Sequence, residues 1–66
     1  MVIVANGDEV EVDEGASVAD LLDQLGLGRR LVVVERNGTP VARAERTTTL
    51  LAEGDRLELV RAVAGG

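Results

Sequence analysis

The sequence predicts an α+β fold, a mixed β-sheet of about five strands with one main helix packed across one face. Three observations carry this expectation. Val18, Leu21, Leu22 and Leu25 recur at i, i+3, i+4 and i+7, the stripe of an amphipathic helix. Asn6-Gly7 and Asn37-Gly38 each sit between Val-rich runs, and Asn-Gly supplies the positive φ angles that tight hairpins demand. Glu9-Val10-Glu11-Val12-Asp13 alternates strictly, as a half-buried strand does.

Taken in order, Met1–Ala5 is an apolar strand that turns at Asn6-Gly7-Asp8 into the alternating run, with Val10 and Val12 inward. Glu14-Gly15-Ala16 ends that run. Ser17 then stands where an N-cap belongs, with Asp20 three residues on to favour the positive helix end. The helix is expected over Ser17–Leu25, with Asp20, Asp23 and Gln24 on its wet side and Gly26 as the residue that ends it. Leu31–Arg36 is the next strand, and Thr39–Ala42 returns as a short one, placed at an edge by Pro40. Residues 43–49 are polar and suit an irregular or 3₁₀ segment, after which Leu50 and Leu51 are expected to tuck into the core. Glu53-Gly54-Asp55 is a turn. Arg56–Val63 is the last strand, with Leu57 and Leu59 on one face. Strand, strand, helix, strand, strand, strand describes a β-grasp, or ubiquitin-like, roll, in which the last strand pairs in parallel with the first at the sheet centre. Residues 1–63 form the β-grasp domain, and residues 64–66 are expected to be a flexible C-terminal tail.

The 66 residues contain no Cys, His, Phe, Trp or Tyr, and all seven basic residues are Arg. These absences remove the disulfide framework, the zinc-thiolate site, the thiol nucleophile, the imidazole base, the Schiff-base lysine and the aromatic stacking platform. Eleven Val, nine Leu, eight Ala and one Ile still furnish one aliphatic core. A chain this short buries only roughly 60% of the surface its unfolded form exposes, so stability is expected to be marginal. Net charge is −5, and residues 1–33 carry all of it, with seven acids against two Arg. An acidic chain without a basic stripe does not suit nucleic acid and better suits a basic protein surface. No apolar run approaches a membrane span and no signal segment opens the chain, so the expected location is the cytoplasm.

Little in the body of the chain points to catalysis. Glu9 with Glu11, and Glu53 with Asp55, are carboxylate pairs expected on a solvated strand face and in a turn, with nothing to perturb them. Ser17 is explained as a cap, and no base exists to activate it. The acids lack the loop spacing of an EF-hand, and no metal or cofactor site is expected.

The end of the chain differs. Gly65-Gly66 follows directly on a strand, and without Cβ atoms it can thread a narrow tunnel, with Ala64 and Gly65 as thread and Gly66 presenting a carboxylate. Adenylation by ATP would turn that inert carboxylate into a mixed anhydride. A sulfur nucleophile would then displace AMP and leave a thiocarboxylate. ATP and Mg²⁺ would be used by a partner enzyme, with this chain as substrate and carrier.

The chain resembles the ThiS family, the sulfur carrier proteins of thiamine biosynthesis. The resemblance rests on the opening strand to Asn6, the Ser17–Leu25 helix, the Asn37-Gly38 turn and, above all, the run from Glu53-Gly54-Asp55 through the alternating strand to Gly65-Gly66. Val41 and Arg43 fall where the family often has Val-Pro-Arg. Ala42 replaces that proline, and Arg46 stands where an aromatic residue is usual. The resemblance implies three partners. A ubiquitin-activating-enzyme-like adenylyltransferase would adenylate Gly66. A cysteine desulfurase system would supply sulfur. Thiazole synthase would take that sulfur for the thiazole ring. A carrier for molybdopterin or another sulfur-transfer pathway, and a ubiquitin-like protein modifier, remain alternatives. The expected docking patch is Val4 with Val60, facing away from the helix, with Glu58 beside it to steer a basic partner.

Overall fold

A computed structural model describes residues 1–28 and 31–61. The elements run β1 (Val2–Ala5), β2 (Asp8–Glu11), α1 (Val18–Gln24), β3 (Val32–Arg36), β4 (Thr39–Pro40), a 3₁₀ turn (Arg43–Glu45) and β5 (Arg56–Arg61). Five strands form one sheet in the order β2-β1-β5-β3-β4. β1 and β5 are parallel, and the other neighbours are antiparallel. The last strand therefore sits at the centre and β4 at an edge, where Pro40 does no harm to the sheet. Val63 and the tail Ala64, Gly65 and Gly66 lie outside the described residues.

Both hairpins follow from their turn residues. Asn6 (φ 50) with Gly7 (φ 86), and Asn37 (φ 52) with Gly38 (φ 83), occupy the left-handed region at both central positions. That is the twist a two-residue hairpin needs, and it sets the pairs Ala5 with Asp8 and Arg36 with Thr39.

The N-terminus of α1 has each of its first amide groups satisfied. Val18 N donates to Thr49 O, and Ala19 N donates to Arg46 O. Asp20 N donates to Ser17 Oγ at 3.1 Å, as expected of the cap, and Ser17 N donates to Asp20 Oδ2 at 2.9 Å, which completes a capping box. At the other end Gly26 (φ 75) reverses the chain, and Leu27 N reaches Leu22 O at 2.7 Å. This reversal corrects the expected stripe. Leu25 becomes the C-cap and points outward, 38% exposed, and Leu27 packs against the core in its place.

The core lies between α1 and one sheet face. Ile3, Val18, Leu21, Val34 and Leu57 are fully buried, each such side chain contributing about 1.5–3 kcal/mol. Val12 is buried and Val10 packs against the core as expected. Leu51 is buried too, its amide donating to Ala16 O. Leu50 is not. It bridges to Ser17 through its backbone, so its side chain turns outward and is 57% exposed. A two-residue β4 leaves the outer edge of β3 partly uncovered. Arg46 closes it by donating from Nη2 to Val32 O, so the arginine serves as an edge cap.

Candidate functional site

The candidate site is the last strand and the sheet face around it. β5 is paired on both sides, by β1 in parallel and by β3 along five residue pairs. Its start is fixed by a polar cluster. Asp55 is 6% exposed and accepts from Arg36 Nε at 2.8 Å, from Asn37 Nδ2 at 3.1 Å and from Ala52 N at 2.8 Å. Asn37 also accepts from Arg56 N through Oδ1. Burial by itself raises the Asp55 pKa and is the largest influence. The hydrogen bonds from Ala52, Asn37 and Arg36, with the Arg36 charge, outweigh it and hold the carboxyl below its ordinary value.

This corrects the expectation of an unperturbed turn carboxylate at Asp55. Glu53 does remain exposed, accepting from Val2 N. The two acids of one turn thus part company, because Asp55 faces the β3 hairpin and Glu53 faces the opening strand. Glu9 and Glu11 are exposed, as a solvated strand face requires.

Further along β5, Leu57 and Leu59 point into the core while Glu58 and Val60 point out. The expected pairing of Val4 with Val60 does not form. The parallel register sets Val4 opposite Arg56, four residues before Val60, a distance of roughly 13 Å along the strand. Val4 is also half-buried. The neighbour of Val60 is Val33, directly across on β3, and the two are 60% and 55% exposed. The next pair along is Glu58 with Glu35, two exposed acids set directly opposite each other. Like charges in that position oppose each other and destabilise the sheet. The outer face therefore presents an apolar Val33–Val60 pair beside an acidic Glu35–Glu58 pair. Val33 and Glu35 escaped sequence reasoning because strand-to-strand register is a long-range property. Their odd-numbered alternation in a Val-rich strand was the available signal.

Asn6 is a second residue whose role exceeds its turn. Its Oδ1 accepts from Leu59 N at 2.8 Å and its Nδ2 donates to Leu59 O at 3.0 Å, across 53 residues of sequence. Among the described residues no group of three or more His, Cys, Asp or Glu is arranged to hold a metal ion. Among them also, no helix is long and apolar enough to cross a membrane. The tail positions Ala64, Gly65 and Gly66 are outside the described residues, so the geometry bears on the strand that leads to them.

A mixed five-stranded sheet wrapped on one helix, with the last strand central and parallel to the first, defines a ubiquitin-like β-grasp domain. The chain belongs to the ThiS family, whose model matches residues 2–66. A crystal structure of the thiamine biosynthesis protein ThiS from Geobacter metallireducens is 32% identical, covers all of both chains and superposes with a TM-score of 0.83. SAMP1 from Haloferax volcanii is 26% identical over 98% of this chain and 97% of that one, with a TM-score of 0.62. A thiazole synthase from Paramagnetospirillum magneticum is 36% identical over 66 residues, and the chain spans 20% of that protein's length.

Proposed function

We propose that this protein is a sulfur carrier for thiamine biosynthesis, working through the carboxylate of Gly66. The observation that carries the proposal is the family match, which runs to Gly66 and so takes in Gly65-Gly66. The absence of Cys, His and Lys supports a role as substrate rather than catalyst. In the proposed cycle a ubiquitin-activating-enzyme-like adenylyltransferase binds the chain with ATP and Mg²⁺. The Gly66 carboxylate attacks the α-phosphate, pyrophosphate leaves, and an acyl adenylate forms. A persulfide, fed by a cysteine desulfurase system, displaces AMP to form an acyl disulfide, and a thiol then attacks that disulfide, leaving the thiocarboxylate and ending as a disulfide itself. Thiazole synthase then takes the sulfur for the thiazole ring. The likeness to a protein named thiazole synthase supports that last partner.

The proposed docking face is Val33 and Val60, with Glu35 and Glu58 beside them. A partner that brings a cation to the Glu35–Glu58 pair would relieve a repulsion that the free sheet carries. The test of function is the intact mass after incubation with the cell's activating enzyme, ATP and a sulfur source. Replacement of one terminal oxygen by sulfur supports the reading, and an unchanged mass refutes it. The pathway has its own test. A strain lacking the protein should need added thiazole, and growth without it refutes the thiamine assignment.

A further inference from the structure

We propose that Asn6 and Asn37 are sites of covalent modification, two asparagines that deamidate when the chain unfolds and that the fold protects while it stands. Each precedes a glycine, Gly7 and Gly38. The following residue matters because deamidation begins with attack by its backbone nitrogen on the asparagine Cγ, and glycine has no Cβ to obstruct that attack. The new N–Cγ bond closes a succinimide ring and the Cγ–Nδ2 bond breaks. Nδ2 leaves as ammonia, carrying the proton that the glycine nitrogen gives up. Water then opens the ring at either carbonyl. The product is aspartate, or isoaspartate in which the main chain runs through Cγ. At each site the chain gains water and loses ammonia, and a neutral amide becomes a carboxylate.

The folded geometry opposes the first step at both turns. Asn6 and Gly7 have φ of 50 and 86, and Asn37 and Gly38 have φ of 52 and 83. In a turn of this kind ψ of the first central residue is about +30°, which sends the glycine nitrogen to the far side of the Cα–C bond from the asparagine side chain. Both ends of each carboxamide are also engaged elsewhere. Asn6 Oδ1 accepts from Leu59 N, and its Nδ2 donates to Leu59 O. Asn37 Oδ1 accepts from Arg56 N, and its Nδ2 donates to Asp55 Oδ1. To react, the side chain has to leave these partners and ψ has to rotate, so the hairpin has to open. The product then resists refolding. A carboxylate at position 6 has no proton to give Leu59 O and faces that carbonyl across the 3.0 Å the amide now bridges. A carboxylate at position 37 stands against Asp55 Oδ1 across 3.1 Å, two like charges beside Arg36. Isoaspartate adds a backbone atom to a two-residue turn and disturbs the register that the turn sets. The covalent lifetime of the chain is thereby tied to its folding stability.

Prolonged incubation at mildly alkaline pH, folded in buffer against unfolded in guanidinium chloride, tests this by peptide mass. Trypsin separates the two sites, because Arg29, Arg30 and Arg36 lie between them. Both peptides should gain about 1 Da in denaturant, and should do so at least about tenfold more slowly in the folded chain. Leu21→Ala lies in neither turn and weakens the core, so in buffer it should convert both sites at least about threefold faster than wild type. Asn6→Asp and Asn37→Asp mimic one product each, and each should melt at least about 4 °C below wild type or fail to fold. Equal rates in buffer and denaturant overturn the proposal, and so does a denatured chain that never converts. A Leu21→Ala chain that melts lower than wild type yet converts no faster also overturns it, as does an unchanged melting temperature in either Asn→Asp variant.

Discussion

Replacing Asp55 by alanine should remove about 3 kcal/mol of stability, a large share of the roughly 3–10 kcal/mol expected for a domain of this length. The carboxylate accepts three hydrogen bonds, from Arg36, Asn37 and Ala52. A hydrogen bond to a charged group is worth about 1.5–3 kcal/mol when buried, but the Arg36 side chain is 31% exposed and regains water when its partner is lost. Asn37 and Ala52 are exposed residues as well, so each of the three bonds is counted at about 1 kcal/mol. The melting temperature should fall by roughly 12–24 °C. Far-UV circular dichroism is the suitable probe, since the chain has no aromatic residue to report by fluorescence. The pH dependence is a second reading of the same cause. Asp55 is depressed in the folded state, so its contribution is complete above the unfolded carboxylate pKa near about 3.9 and fades as pH falls through the lower folded value. The gap between wild type and Asp55→Ala should be widest at about pH 7 and should narrow as pH falls below the unfolded carboxylate value toward the lower folded one. A gap under about 1 kcal/mol, or one that keeps its size in acid, refutes the assignment of stability to this carboxylate.

Other perturbations have defined outcomes. Ser17→Ala removes one half of the capping box and should cost about 1 kcal/mol, seen as a lower denaturation midpoint in urea. Gly26→Ala places a Cβ at φ 75 and should cost about 1 kcal/mol by the same assay, with no steric neighbour to worsen it. Leu21→Ala opens a cavity under the helix and should cost about 2–5 kcal/mol, enough to leave a measurable unfolded fraction by NMR at room temperature. Val60→Asp changes an exposed site, so its melting temperature should stay within a few degrees, while KM for adenylation should rise. A folded Val60→Asp chain activated at the normal rate would dismiss the Val33–Val60 face as a docking surface.

Legibility from sequence followed the range of the interaction concerned. Asn-Gly turns, the Ser17 cap and the Leu57/Leu59 alternation act over a few residues, and each is found as expected. Leu25 and Leu50 were misplaced because a chain reversal at Gly26 and a backbone bridge from Leu50 to Ser17 overrode local periodicity. The role of Arg46 was equally invisible locally, because the strand carbonyl of Val32 that it caps lies 14 residues away.

The sequence by itself determined the order of elements, the turn chemistry, the single aliphatic core and the absence of any catalytic side chain beyond hydroxyls, amides, carboxylates and arginine. Its missing Cys, His and Lys leave the terminal carboxylate of Gly66 as the candidate reacting group. Tertiary structure decided which residues share a face. It moved the exposed apolar pair from Val4–Val60 to Val33–Val60, set Glu35 against Glu58, buried Asp55 and joined Asn6 to Leu59. The physical reason is common to all four. Each depends on the register between β5 and its two neighbours, and that register is set by contacts between segments far apart in the chain.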